Sequence, residues 1–208
     1  MSTDMYLTPR GPGEAVIVEK RSRFIGSIRP VSDEDAARGF LAEIRATYKD
    51  AHHHVYAYNL RDNNILRYSD DGEPKGTGGL PALEVLRREG IFDVCCVVTR
   101  YFGGIPLGAP GLTRAYAGMA KAALDAAGIA VMRTWTSVTL SCPYALWRMV
   151  KLVIASAGGV VEDVDFGTDV TVELALPSSA LDGFSEQITD ITAGQAFLLV
   201  GPESFRAT

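Results

Sequence analysis

The 208-residue sequence has no run of eighteen apolar residues, so nothing in it reads as a membrane-spanning helix. Its start, "MSTDMYLTPRGPGEA", carries Asp4 and no apolar h-region, which speaks against a secretory leader and for a cytoplasmic protein. Cysteine is scarce: there are three, an odd count, and Cys95 and Cys96 are adjacent in an extended stretch where neighbouring side chains point to opposite faces. A disulfide framework is not expected, and the three read as small core residues in a reducing compartment. GxSxG, HExxH and CxxC are absent, so no standard serine-hydrolase, zinc-peptidase or thiol-redox signature is present. No repeat of 20 to 50 residues and no low-complexity tract is visible.

The net charge is −5, unevenly spread. Residues 1–130 hold 16 basic and 16 acidic residues, whereas 131–208 hold 4 and 9. An acidic segment repels a polyanion, so any nucleic-acid contact is expected in the first part.

The apolar periodicity divides the chain in two. "AVIVEKRSRFIGSIRP" reads as two extended stretches, 14–19 and 23–29, around a basic turn with Arg21 and Arg23 beside it. "SDEDAARGFLAEIRATY" follows, with Ser32 as the expected N-cap and Ala37, Phe40, Leu41, Ile44 and Tyr48 at helical spacing. "HVYAYNL" and "ILRYS" form an expected hairpin, and "DDGEPKGTGG" a polar loop before the helix "PALEVLRREG". The valine-rich run "IFDVCCVVTRYF" reads as a strand buried on both faces. An Ala-rich helix is expected from about Gly111 to Gly128. Beyond it the order strand, helix, strand, strand, helix, strand is the split βαβ or ferredoxin-like arrangement. Its first helix is expected to present Leu146, Met149, Val150, Val153 and Ile154 on one face. The boundary is expected near 131–134, giving domains 1–131 and 132–208.

Chemistry concentrates in "TRYFGGIPLGAPGLTRAY", residues 99–116, which packs four glycines, two prolines, two arginines and three aromatics into eighteen positions. Gly103, Gly104, Gly108 and Gly111 match neither GxGxxG nor GxxxxGK[ST], because Ala109 and Pro110 stand where the latter needs Lys and Ser/Thr. Two readings remain. Amides near Gly111 to Thr113 at a helix start can receive an anion with Arg114 beside them, or the glycines serve only turns and close packing. Arg100, Tyr101 and Phe102 are suited to gripping phosphates and stacking on bases, or equally to core packing and a carboxylate pair. All three histidines lie in "AHHHVYAY"; on a strand His52 and His54 share one face and His53 takes the other. Asp70, Asp71 and Glu73 of "SDDGEP" are potential acid/base groups or solvated loop acids, and Lys75 sits on the glycine-rich loop that follows.

In this order, "EKRSRFIG", "AHHHVYAY", "SDDGEPKGTGGLPALEVL" and "VVTRYFGGIPLGAPGLTRAYAGMA" resemble the YigZ/IMPACT family of translation-associated proteins, over about residues 14–120. The resemblance implies an α+β protein of two two-layer α/β sandwich domains. The first would be similar to ribosomal-protein and elongation factor G domain IV modules, and the second a ferredoxin-like βαββαβ domain similar to domain V of that factor. Its functional surface would fall on His53, Asp70, Asp71, Glu73, Arg100, Tyr101, Gly103, Gly104, Gly108, Arg114 and Tyr116, joined by Lys75 from the reading of the loop. The chain departs from the family pattern at Gly78, where an alanine is usual, and at Pro110, where a glycine is usual. The expected function is regulatory binding of RNA, the ribosome or a translation-associated protein through the first domain, without cofactor or metal. The alternative is a small hydrolase or phosphate-ligand enzyme using His53 and the "SDDGEP" acids; a third is an adaptor working through the acidic second domain.

Overall fold

The computed structural model describes residues 5–207; Asp4, part of the leader reading, lies outside them. The chain divides into two compact units, Tyr6–Val131 and residues 132–207 with Met5. No helix among the described residues is long and apolar enough to cross a membrane.

β1 (Met5–Pro9) straddles the division, and the first unit contains β2 (Gly13–Glu19), β3 (Ser22–Pro30), α1 (Glu34–Thr47), β4 (His53–Leu60), β5 (Ile65–Ser69), α2 (Gly79–Arg88), β6 (Val94–Tyr101) and α3 (Ala109–Ala127). Its sheet runs β2-β3-β6-β4-β5, antiparallel throughout. The β2–β3 hairpin turns at Lys20 and Arg21, both at positive φ, which matches the right-handed twist of the strands it joins.

Strand alternation sorts the central residues. Cys96 and Val98 face α2 and α3, together with Phe24, Ile28, Val55 and Ala57. Cys95 and Val97 face α1 and pack with Phe40, Ile44 and Tyr58. The mixed α/β class with two α+β units stands, and α1 adds a layer on the opposite face of the first sheet from α2 and α3. The unbroken apolar run of β6 has this cause: helices cover both its faces. Burial pushes the Cys95 and Cys96 thiols up from their ordinary range, which keeps them protonated packing groups. All three cysteines are free and buried.

Three helix starts differ from expectation, α2 beginning at Gly79, two residues before Pro81. The N-cap of α1 is Asp33, whose Oδ1 accepts the Ala36 N–H at 2.8 Å, while the Ser32 hydroxyl donates to the other Asp33 oxygen. Serine and aspartate are equally good caps, and the position in the turn chooses between them. Helix α3 begins at Ala109, two residues before Gly111, which places Pro110 in the first turn where a missing N–H leaves no gap.

The division between units falls within β7 (Ile129–Cys142), followed by α4 (Tyr144–Ser156), β8 (Val160–Phe166), β9 (Val170–Pro177), α5 (Leu181–Thr192) and β10 (Phe197–Ala207). These strands pair antiparallel in the order β10-β7-β9-β8, the ferredoxin-like arrangement. Alternate residues of β7 and β9, such as Leu140, Val172 and Leu174, pack with Val150, Ile154, Phe184 and Ile188 of the two helices. The inner stripe of α4 uses Trp147 rather than Met149, which is 43% exposed. Met149→Ala is therefore expected to change stability by less than about 0.5 kcal/mol. Ile154→Ala is expected to cost about 2–5 kcal/mol. Urea unfolding of the two variants measures the difference.

Candidate functional site

In the first unit the face of the sheet covered by α2 and α3 collects the chemistry. Register pairs His53 with Arg100 and Phe24 with Arg100, so these three side chains share one face. The loop between β5 and α2 brings Glu73 over them, and α3 lays Tyr116 beside Phe24 with ring centroids 5.4 Å apart and nearly perpendicular.

Glu73 is the hub. Its Oε1 accepts hydrogen bonds from Arg100 Nη1 and from the Tyr116 hydroxyl, both at 2.6 Å, and His53 Nε2 lies 3.9 Å away. Arg100 and Glu73 are only 5% and 8% exposed. A second guanidinium nitrogen of Arg100 donates to the Ser22 hydroxyl at 3.3 Å, and the guanidinium lies 5.4 Å from both the Phe24 and Phe102 rings. Its Nε finds no acceptor among the described residues. Burial, and then the carboxylate that accepts its proton, push the Tyr116 hydroxyl well above its ordinary pKa of 10.

The other loop acids serve the backbone. Asp70 accepts the N–H groups of Gly76 at 2.7 Å, Gly78 at 3.0 Å and Gly79 at 2.9 Å, which satisfies the start of α2. Asp71 pairs with Arg45 at 2.9 Å and accepts the His54 N–H at 2.6 Å. The Asp71 carbonyl accepts from His53 Nδ1 at 2.8 Å, so that nitrogen carries a proton. "DDGEP" thus behaves as a folded clasp. No group of three or more His, Cys, Asp or Glu among the described residues is placed to hold a metal ion.

Tyr101 leaves this cluster, because strand alternation turns it to the α1 face, where its hydroxyl donates to Asp50 at 2.9 Å. Gly103 is required by close approach: a Cβ there would lie 2.0–2.5 Å from the Arg21 and Ser22 backbone. Its N–H donates to the Ser22 hydroxyl at 3.2 Å. Gly104 and Gly108 have positive φ, and Gly108 is the N-cap of α3. The Leu112 N–H is bonded to the Gly108 carbonyl, so that amide, a candidate for an anion on sequence grounds, is part of the helix. Lys75 is exposed.

Beside the buried cluster lies an open cleft between β2 and α3, lined by Ile17, Glu19, Lys20, Phe24, Leu107 and Arg114. Arg114 and Lys20 are exposed and make no ion pair among the described residues, and neither does Arg21 at the hairpin tip. Of the expected site residues, the fold joins His53, Glu73, Arg100 and Tyr116, with Asp71 holding His53. It places Arg114 across Phe24 from them. Ser22, Lys20 and Phe24 are members that residue-type reasoning passed over. The signal for Ser22 was the two-residue hairpin turn, which puts it at the start of β3 on the Phe24 face.

An Impact N-terminal domain model matches residues 20–124, and a second model, a domain of unknown function (DUF1949), matches 140–195. The chain is 34% identical to the IMPACT family member YvyE of Bacillus subtilis, covering 94% of this chain and 91% of that one. It is also 34% identical to the IMPACT family member YigZ of Escherichia coli, over 94% and 98% respectively. A solved structure, "Crystal structure of an hypothetical protein", aligns with a TM-score of 0.63 at 34% identity, covering 95% of this chain and 97% of that one.

Removing one member of a buried ion pair strands the other charge, so Glu73→Gln is expected to lose about 3–5 kcal/mol in denaturant unfolding. Tyr116→Phe, which deletes one hydrogen bond to a charged acceptor, should lose about 1.5–3 kcal/mol. The sign of the pH effect follows from Tyr116. Its hydroxyl is raised in the folded state, so the stability it contributes is intact below pH 10 and declines as pH rises above 10. Unfolding followed from about pH 9 to about pH 11 should show a shallower alkaline decline in Tyr116→Phe than in the parent.

Proposed function

The chain belongs to the IMPACT family, and on that premise we propose that it is a cytoplasmic, translation-associated regulatory protein whose first unit binds RNA, free or on the ribosome. The observation that carries this reading is the uneven neutralisation of charge. Arg29 is paired with Glu43, Arg45 with Asp71, Arg61 with Asp93 and Arg100 with Glu73. Lys20 and Arg114 line one cleft, Arg21 follows Lys20 in the hairpin turn, and none of the three has such a partner among the described residues. Glu19 shares the cleft, so the local excess there is that of Lys20 and Arg114 over one carboxylate. Exposed cations on a rigid wall suit phosphate oxygens, and a salt-dependent interaction of this kind needs no catalytic group.

Arg100 contributes by bracing. Its guanidinium is committed to Glu73 and Ser22, so gripping phosphate falls to Lys20, Arg21 and Arg114. The hydrolase alternative has little to draw on, since the oxygens of Asp70 and Asp71 are already engaged by the backbone and by Arg45.

Charge reversal tests the reading. Lys20→Glu and Arg114→Glu should each weaken retention of a labelled RNA oligonucleotide and of ribosomes, without lowering the melting temperature. The slope of log affinity against log salt should shrink by about 0.7 for every single-strand phosphate that the variant no longer neutralises. Undiminished retention of RNA and ribosomes by the folded double variant would overturn it.

A further inference from the structure

We propose that the RNA taken at this cleft is single-stranded, with one unpaired base stacked on Phe102; this rests on the RNA reading above. Phe102 follows β6 on the same face as Arg100, and is 43% exposed although it is an aromatic at the edge of a well-packed core. Its position is fixed on several sides. Its own N–H donates to His52 Nδ1 at 3.2 Å, and the His52 ring meets it edge-on at 6.5 Å. The next residue, Gly103, is bonded to Ser22 and packed against the Arg21 backbone. The Arg100 guanidinium, itself held by Glu73 and Ser22, lies 5.4 Å from the ring.

Exposed phenylalanine side chains in loops usually lose area by folding back onto apolar neighbours. Here hydrogen bonds on either side of the residue hold it outward, and a fixed aromatic presented to solvent is a stacking platform. Its placement matches the cations. Phe24 lines the cleft with Lys20 and Arg114, and Arg100 lies 5.4 Å from both the Phe24 and Phe102 rings. Phe24, in the cleft wall, and Phe102 thus flank one guanidinium, and a strand with phosphates on Lys20 and Arg114 is proposed to lay one base on Phe102. A duplex does not satisfy this arrangement, because its bases are stacked inside and only backbone and shallow-groove edges face outward.

The experiment uses the full chain, a fluorescein-labelled unstructured 12-nucleotide RNA and a hairpin duplex of comparable length, read by anisotropy. The parent should prefer the single strand. Phe102→Ala should bind it roughly tenfold more weakly or worse, with its duplex affinity and melting temperature unchanged. Phe102→Trp should retain binding, and its fluorescence should be quenched by the single strand. Equal parental affinity for the two RNAs, or single-strand affinity unchanged in Phe102→Ala, would overturn the stacking proposal. If Lys20→Glu and Arg114→Glu still weaken binding in that case, the RNA reading stands and stacking alone fails. If neither RNA binds the parent, both fall.

Discussion

Glu73 is a carboxylate taken out of water on a loop, and it is tolerable there only because an arginine and a tyrosine reach it from two other elements. Arg100 comes from the central strand and Tyr116 from α3, so the one oxygen that receives both ties the loop, the sheet and the helix together. Each group needs the others. An isolated buried charge on either side costs several kcal/mol, and the pair holds only while its geometry is intact. The stretch from Arg100 to Tyr116 inherits its shape from this constraint: strand end, glycine turn packed on Ser22, then helix.

That internal neutralisation also decides what the surface can do. Had Arg100 been exposed, it would have been the natural phosphate grip; once committed inward, it supports Phe24 and Phe102 instead. Positive charge without an ion pair at the rim of the cleft comes from Lys20 and Arg114, with Arg21 next to Lys20 in the hairpin turn. The first part of the chain is electrically neutral in total, so its affinity for a polyanion has to come from where charges are left uncompensated rather than from their number.

Much of the fold was legible from local pattern. The apolar run at Val94–Tyr101 announced a strand covered on both sides, and adjacent Cys95 and Cys96 did pass to opposite faces. The order of elements after Gly128 led to the ferredoxin-like sheet. Misreadings arose where two neighbours were chemically equivalent: Ser32 and Asp33 both cap helices, and Met149 and Trp147 both fit an inner stripe. Only packing breaks such ties.

The candidate site was legible in part. Strand periodicity alone set His53 apart from His52 and His54, because side-chain direction along a strand is a local property; Tyr101 was expected beside Arg100, and the same alternation turns it to the other face. Partnership is not local. Glu73 meets Arg100 and Tyr116 across 27 and 43 positions of chain, and nothing in "SDDGEP" says that it, rather than Asp70, would be the buried acid. The same holds for Lys20, which shares a cleft with Arg114 only because α3 lies along β2. Residue order and type therefore establish which elements form, which faces their side chains take and where charge can be carried. Which of those charges cancel is settled by the assembled fold, since Coulomb attraction and desolvation act on distances that only the folded sheet and its helices establish.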